Sequence, residues 1–164
     1  MRLAGHADAH KQVKQSDFND AWVNYFHHFS NLIGAKTTSR FQKDLILDCA
    51  NGVGAIQFKI NLEKLHEKFG DSIPLKVHII NDDPVPTMLN EECGAEYVHK
   101  DQKFPLNFKG EVGGKCASFD GDADRLIYFY KASDDAKSPT IIDGDKQFAL
   151  ILMYIKSLLE KLGI

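Results

Sequence analysis

The sequence predicts an α/β fold: a mixed β-sheet flanked by helices, in a single domain. Three observations carry that expectation. Apolar runs such as "LILD" (45–48) and "LKVHII" (75–80) have strand length. Longer segments repeat their apolar residues at spacings of three and four, as amphipathic helices do. The two kinds alternate along the chain, which is the pattern of layered α/β domains. At 164 residues there is room for one domain with a core. No internal repeat, low-complexity tract or linker divides it.

The elements follow in order. Residues 1–15 are small and polar and read as a disordered or vector-derived segment, with the domain running over 16–164. Phe18, Ala21, Trp22, Tyr25, Phe29, Leu32 and Ile33 define a first helix over 17–33, with Ser16 or Asp17 as its cap and Gly34 as its stop. "LILD" is a short buried strand, and "CANGVGA" turns from it into a second helix. Phe58, Leu62, Leu65 and Phe69 form that helix's apolar face, and Gly70 ends it. "LKVHII" is the next strand. "NDDPVPT" reads as a loop, because its two prolines and Asn-Asp run cannot continue a strand, and its "NDDP" (81–84) as a solvated turn at a strand end. Residues 89–93 suggest a short helical piece stopped by Gly94, and "AEYV" (95–98) a short strand. A loop with Pro105 and several glycines leads to "CASF" and "LIYFY", two strands flanking an aspartate-rich turn. "KASDDAKSP" connects to a short strand, "TII". "DGDK" (143–146) then caps a last helix, whose Phe148, Ile151, Leu152, Ile155, Leu158, Leu159 and Leu162 keep the helical period, with Gly163 closing it.

Composition narrows the function classes. Hydrophobic residues make up 43% and charged residues 26%, ordinary for a soluble globular chain. The net charge of −3 gives no pull toward nucleic acid or an anionic membrane. No apolar run approaches the ~20 residues that span a bilayer, and the first residues lack the apolar stretch of a signal peptide. Three widely spaced cysteines, Cys49, Cys93 and Cys116, contain no C-x-x-C pair. They read as buried thiols in a reducing compartment, and so point to the cytoplasm.

One stretch carries chemistry. In "ASFDGDADRLIYFY" (117–130), Asp120, Asp122 and Asp124 alternate with the small Gly121 and Ala123, and Arg125 follows at once. Three carboxylates so close repel one another and require a cation or full solvation. The flanking strands hold the turn at a sheet edge, where solvation is incomplete. Oxygen-only ligands suit a hard cation, Mg²⁺ or Ca²⁺. An EF-hand would need Gly at the sixth position and Glu at the twelfth; Arg125 and Lys131 stand there. A guanidinium cannot ligate a metal, but it holds phosphate well. A cation site and an Arg on one loop therefore suggest phosphoryl chemistry.

With those residues in place, the chain resembles the α-D-phosphohexomutases, whose metal loop reads D-G-D-x-D-R, as Asp120–Arg125 does. "LDCANGVGA", "LNEECGAEYVHKDQKFP" and "IIDGDK" are similar to that superfamily too, and in particular to its eukaryotic branch acting on N-acetylglucosamine phosphates. The resemblance covers residues 44–164 and more faintly the first helix. It implies the second of four domains in an enzyme that interconverts sugar 6- and 1-phosphates through a phosphoserine and a bisphosphorylated sugar. It implies Asp120, Asp122 and Asp124 as Mg²⁺ ligands and Arg125 as the group that steadies the transferring phosphoryl. The phosphosugar substrate would be met only together with domains I, III and IV, and no serine here has the setting of the family's nucleophile. The chain alone is therefore expected to be inactive. Three alternatives stand beside it: another phosphohexomutase acting on glucose or mannose phosphates, a haloacid-dehalogenase-like phosphatase with Asp120 as nucleophile, or a non-catalytic binding module.

Weaker features have plainer readings. "CANGVG" lacks G-x-G-x-x-G and the Walker lysine. It reads as a tight strand-to-helix turn, with a place beside the active cleft as the lesser alternative. His27 and His28 are adjacent on a helix, ~100° apart, and do not share a metal. Trp22, Tyr25, Phe26 and Phe29 read as core, or as a surface covered by a neighbouring domain. Such an interface predicts an exposed apolar patch.

Overall fold

The computed structural model describes residues 14–34, 43–70, 76–83 and 86–163. Helix α1 (Gln15–Gly34) leads into strand β1 (Asp44–Asp48), helix α2 (Val53–Phe69) and strand β2 (Lys76–Ile80). Helix α3 (Gly94–Lys100), strands β3 (Lys115–Phe119), β4 (Leu126–Tyr130) and β5 (Thr140–Ile142), and helix α4 (Gly144–Leu162) complete it. The five strands form one sheet in the order β2-β1-β3-β4-β5. β1 runs parallel to β2 and β3, whereas β3–β4 and β4–β5 are antiparallel. The expected α/β class with a mixed sheet is what the chain adopts.

Strand alternation sends successive side chains to opposite faces. Leu45 and Leu47 of β1 pack with Ala55 and Phe58 of α2, together with Ala117 and Phe119 of β3. On the other face, Ile46, Cys116, Ile127 and Phe129 meet Ala95 and Val98 of α3. Phe104 and Phe108, stacked with centroids 4.7 Å apart, extend that second core from the loop after α3. All three cysteines are free and buried, as expected. α1 packs on α2 through Val23 and Leu65, flanked by Trp22 and Phe26. Tyr25 is exposed instead.

Several expectations need correction. α1 starts at Gln15, so Ser16 and Asp17 lie inside its first turn; the Asp17 N–H bonds back to the Lys14 carbonyl. Up to residue 13, the expected disordered segment lies outside the described residues. The "AEYV" strand is α3: Ala95 and Val98, three apart, both face the core, and its first N–H finds a buried acceptor. Gly94 therefore opens a helix rather than ending one. The segment before it is a 3₁₀ turn at Pro86–Met88 followed by irregular turns, with Asn90 and Glu92 at positive φ. "NDDP" is not simply a solvated turn, because Asn81 is buried and hydrogen-bonded.

α4 differs from the other helices. Asp143 caps it, accepting from the Lys146 N–H at 3.0 Å, as its sequence predicts. None of its residues is buried. Phe148, Ile151, Leu152, Ile155, Leu158, Leu159 and Leu162 form an exposed apolar stripe. The expected apolar patch thus lies chiefly on α4. Among the described residues, no helix is long and apolar enough to cross a membrane.

Burial predicts opposite outcomes for two chemically identical substitutions. Leu65 is 1% exposed, so Leu65→Ala should cost about 2–5 kcal/mol. Leu159 is 40% exposed, and Leu159→Ala should stay within about 1 kcal/mol. Urea unfolding followed by circular dichroism measures both; equal losses would contradict the packing described.

Candidate metal centre

β1, β2 and β3 are parallel, so their C-terminal ends lie along one edge of the sheet, the usual place for a ligand in such folds. Asp48, Ile80 and Phe119 end those strands. The aspartate loop leaves β3 there and returns as β4.

The loop curls where the sequence allows it. The Ala123 N–H donates to the Asp120 carbonyl at 3.1 Å, and Ala123 takes a left-handed φ of 62°. That curl brings one carboxylate oxygen each from Asp120, Asp122 and Asp124 within 4.8 Å of one another. Asp120 is buried, while Asp122 and Asp124 are exposed. Three converging hard oxygen donors fit Mg²⁺ or Ca²⁺ by their chemistry.

Arg125 closes the loop on itself. Its backbone N–H donates to Asp120 Oδ1 at 3.1 Å, and its Nε–H to Oδ2 at 2.6 Å. The guanidinium also lies 3.8 Å from Asp124 and, through Nη2, 3.7 Å from Glu96 on α3. Burial pushes the Asp120 carboxyl up, but the hydrogen bonds and charge of Arg125 outweigh it and hold Asp120 below its ordinary value. Asp124 goes the other way, raised first by the Asp122 charge and then by Asp120.

The loop rests on the turn that precedes α2. The Val53 N–H donates to the Gly121 carbonyl at 3.1 Å. A Cβ at Gly52 would stand 2.2 Å from that same oxygen, so only glycine fits. From the opposite side, Leu89 and Asn90 press on Gly121, where a Cβ would meet them at 2.8 and 2.9 Å. "CANGVG" therefore does border the site, and it does so as a backbone support rather than as a phosphate cradle.

Behind the loop lies a second carboxylate, Asp48, wholly buried at the end of β1. It accepts hydrogen bonds from the Ala50 N–H (3.1 Å), Asn81 Nδ2 (3.0 Å), the Gly94 N–H (2.8 Å) and the Ser118 hydroxyl. Burial raises its carboxyl above the ordinary value, and the four donors only partly offset this. Sequence reading missed Asp48 and Glu96. Glu96 lies inside "LNEECGAEYVHKDQKFP", where nothing singles it out from its neighbours. Asp48, a charged residue closing an apolar strand, was the one available signal.

Residues 9–127 match the family described as "Phosphoacetylglucosamine mutase AMG1, domain II". The chain belongs to the phosphoacetylglucosamine mutase family. The phosphoacetylglucosamine mutase of Oryza sativa is 41% identical over 117 residues, covering 71% of this chain and 20% of that protein. An Aspergillus fumigatus N-acetylphosphoglucosamine mutase, solved with glucose 1,6-bisphosphate, matches at TM-score 0.74 and 31% identity, covering 89% of this chain and 26% of that one. The Aspergillus enzyme solved with GlcNAc-6P and magnesium matches at TM-score 0.62 and 31% identity, over 82% and 26% of the two chains. The chain thus spans a fifth to a quarter of the length of these mutases. The aspartate loop lies inside the region matched to the mutase family.

The charge pattern can be read by titration. Asp120 should titrate below the ordinary 3.8 and Asp124 above it, followed by carboxyl ¹³C shifts. Because its folded value is depressed, the Asp120–Arg125 contact stabilises the fold above the unfolded Asp value and is lost as pH falls through the folded one. Asp124, raised, does the reverse and weakens the fold as pH rises through its folded value. Arg125→Ala should move the Asp120 titration upward; an unmoved curve would show that Arg125 does not set it.

Proposed function

We propose that this chain is the metal-binding domain of a phosphoacetylglucosamine mutase. That enzyme interconverts the 6- and 1-phosphates of N-acetylglucosamine through a phosphoserine and a bisphosphorylated sugar, on the route to UDP-N-acetylglucosamine. One observation carries the reading: three carboxylate oxygens gathered within 4.8 Å, with Arg125 hydrogen-bonded to the first of them. The magnesium, sugar phosphate and sugar bisphosphate named with the Aspergillus relatives support it.

Asp120, Asp122 and Asp124 would hold Mg²⁺. When bound, the cation would neutralise charge on a transferring phosphoryl group. Arg125 remains 60% exposed at its side chain while anchored through Nε. Nη2 stands 3.7 Å from Glu96, and the rest of the exposed guanidinium can hold phosphate oxygens while the anchor keeps it oriented. The nucleophilic serine and the contacts to the sugar belong to domains I, III and IV of the same enzyme. The exposed stripe of α4 offers apolar surface for packing against such neighbours. The buried, reduced thiols suit a cytoplasmic enzyme.

The phosphatase alternative is weaker on two counts. Both Asp120 oxygens accept hydrogen bonds from Arg125, which suits a ligand or anchor better than a nucleophile. Lys146, the lysine such a mechanism would use, is bonded to the Ile141 carbonyl and to Asp143 at the start of α4.

Titrating Mg²⁺ into the ¹⁵N-labelled chain should shift Gly121–Arg125 with a midpoint on the order of millimolar, as few protein ligands and exposed carboxylates imply. Asp122→Asn should weaken it further. The chain alone should not interconvert N-acetylglucosamine phosphates. An absence of shifts at tens of millimolar would sink the metal reading, and robust Mg²⁺-dependent p-nitrophenyl phosphate hydrolysis by this chain would favour the phosphatase.

A further inference from the structure

Asp48 touches none of the proposed ligands, yet three of its four partners lead to them. Ser118, its β3 partner, stands two residues before Asp120. Gly94 opens α3, the helix whose Glu96 reaches Arg125. Ala50 begins the turn in which Gly52 backs onto Gly121 and Val53 bonds its carbonyl. The Ala50 carbonyl in turn accepts from the Asn90 N–H at 2.9 Å, and Asn90 presses on Gly121 from the other side. Asn81 joins the end of β2, donating to Asp48 and to the Leu106 carbonyl at 2.8 Å.

We infer that Asp48 is a positioning residue for the aspartate loop and for Arg125: one buried carboxylate fixes, at a single point, the segments that hold both in place. A hydrophobic side chain could fill the same space. It could not draw two backbone N–H groups, an amide and a hydroxyl from four different segments to one spot. A buried charge is a costly way to stabilise a core and is often replaced by apolar residues without loss. What this one adds is geometry. Groups behind a metal's direct ligands commonly tune affinity by orienting them.

The magnesium arm of the test rests on the function proposed above; the arginine arm does not. Ser118→Ala and Asp48→Asn are made in the full 164-residue chain, with Val23→Ala as a control that loosens the remote α1–α2 contact. Without metal, the Arg125 Nε–H resonance reports its bond to Asp120. Both site variants should shift or broaden it, and Val23→Ala should leave it unchanged. With Mg²⁺, both site variants should raise the midpoint about three- to tenfold, below the full effect of losing a group bonded directly to a ligand. The control should stay within about twofold, as remote sites do. Should Asp48→Asn fail to fold, Ser118→Ala decides alone. The inference is overturned if Ser118→Ala keeps the wild-type Arg125 signal, or if Val23→Ala disturbs that signal as much. If the wild-type chain shows no Mg²⁺ response, the metal reading fails and the Arg125 signal still settles the role of Asp48.

Discussion

The Asp48 carboxylate is the constraint on which the working edge of this domain depends. A charge taken out of water costs several kcal/mol unless its lone pairs are filled. Here four donors fill them: two backbone N–H groups, a side-chain amide and a hydroxyl. They come from the turn after β1, the end of β2, the start of α3 and the body of β3. The requirement to solvate one anion therefore forces four stretches of chain to meet. Parallel strands leave such a meeting point at their C-terminal ends, because each must turn away there toward its crossover. Asn81, with φ 49°, and Asn51, with φ 52°, take left-handed conformations that asparagine tolerates better than most residues. Their side chains complete the same polar layer: Asn51 donates to the Met88 carbonyl and accepts from the Asp83 N–H, while Asn107 donates to Asn81.

In front of this layer the aspartate loop faces the opposite electrostatic problem, too many charges rather than one. Arg125 solves part of it. Its two hydrogen bonds to Asp120 neutralise the one buried carboxylate, and the exposed pair, Asp122 and Asp124, is left to water or to a cation. The opposed shifts of Asp120 and Asp124 follow from that division of labour. Glu96 balances Arg125 from α3 and is itself paired with Lys100 one turn on. The loop is thus a small alternating charge network pinned at one end to a helix that Asp48 holds.

Much of this was legible from sequence, for identifiable reasons. Strands β1 to β5 announce themselves because apolar runs between turn residues admit few other readings. The Asp120–Asp122–Asp124 triad and Arg125 were legible because their spacing makes an electrostatic demand that a solvated turn answers poorly. α3 was misread because seven residues, "GAEYVHK", are too few for a helical period to separate from a strand's alternation. Its decisive feature, the Gly94 N–H bonded to Asp48, is a contact between residues 46 apart. Asn81 looked like turn chemistry for the same reason: its partners, Asp48 and Leu106, lie 33 and 25 residues away. "CANGVG" reads as a tight strand-to-helix turn, but what requires its Gly52 is the Gly121 carbonyl, which a Cβ there would meet at 2.2 Å. Local pattern reports local structure; the polar layer behind the loop is built from long-range contacts and leaves only single, unexceptional letters behind.

α4 shows the same limit from the apolar side. Its period was read correctly, its cap at Asp143 was read correctly, and its end at Gly163 is a left-handed cap as expected. Amphipathic patterning states that a face is to be buried, but not against what. The stripe from Phe148 to Leu162 meets nothing in the described residues that buries it. An apolar face this broad is unfavourable in water by roughly 25 cal/mol per Å², so its retention calls for a partner surface. The aspartate loop makes a parallel demand in charge, with two of its three carboxylates open to solvent. Under the proposed function the two demands have one source. A domain that supplies three oxygens and an arginine to a shared site must be held rigidly against the domains that supply the rest. An extended apolar helix beside the sheet is a surface by which that can be done.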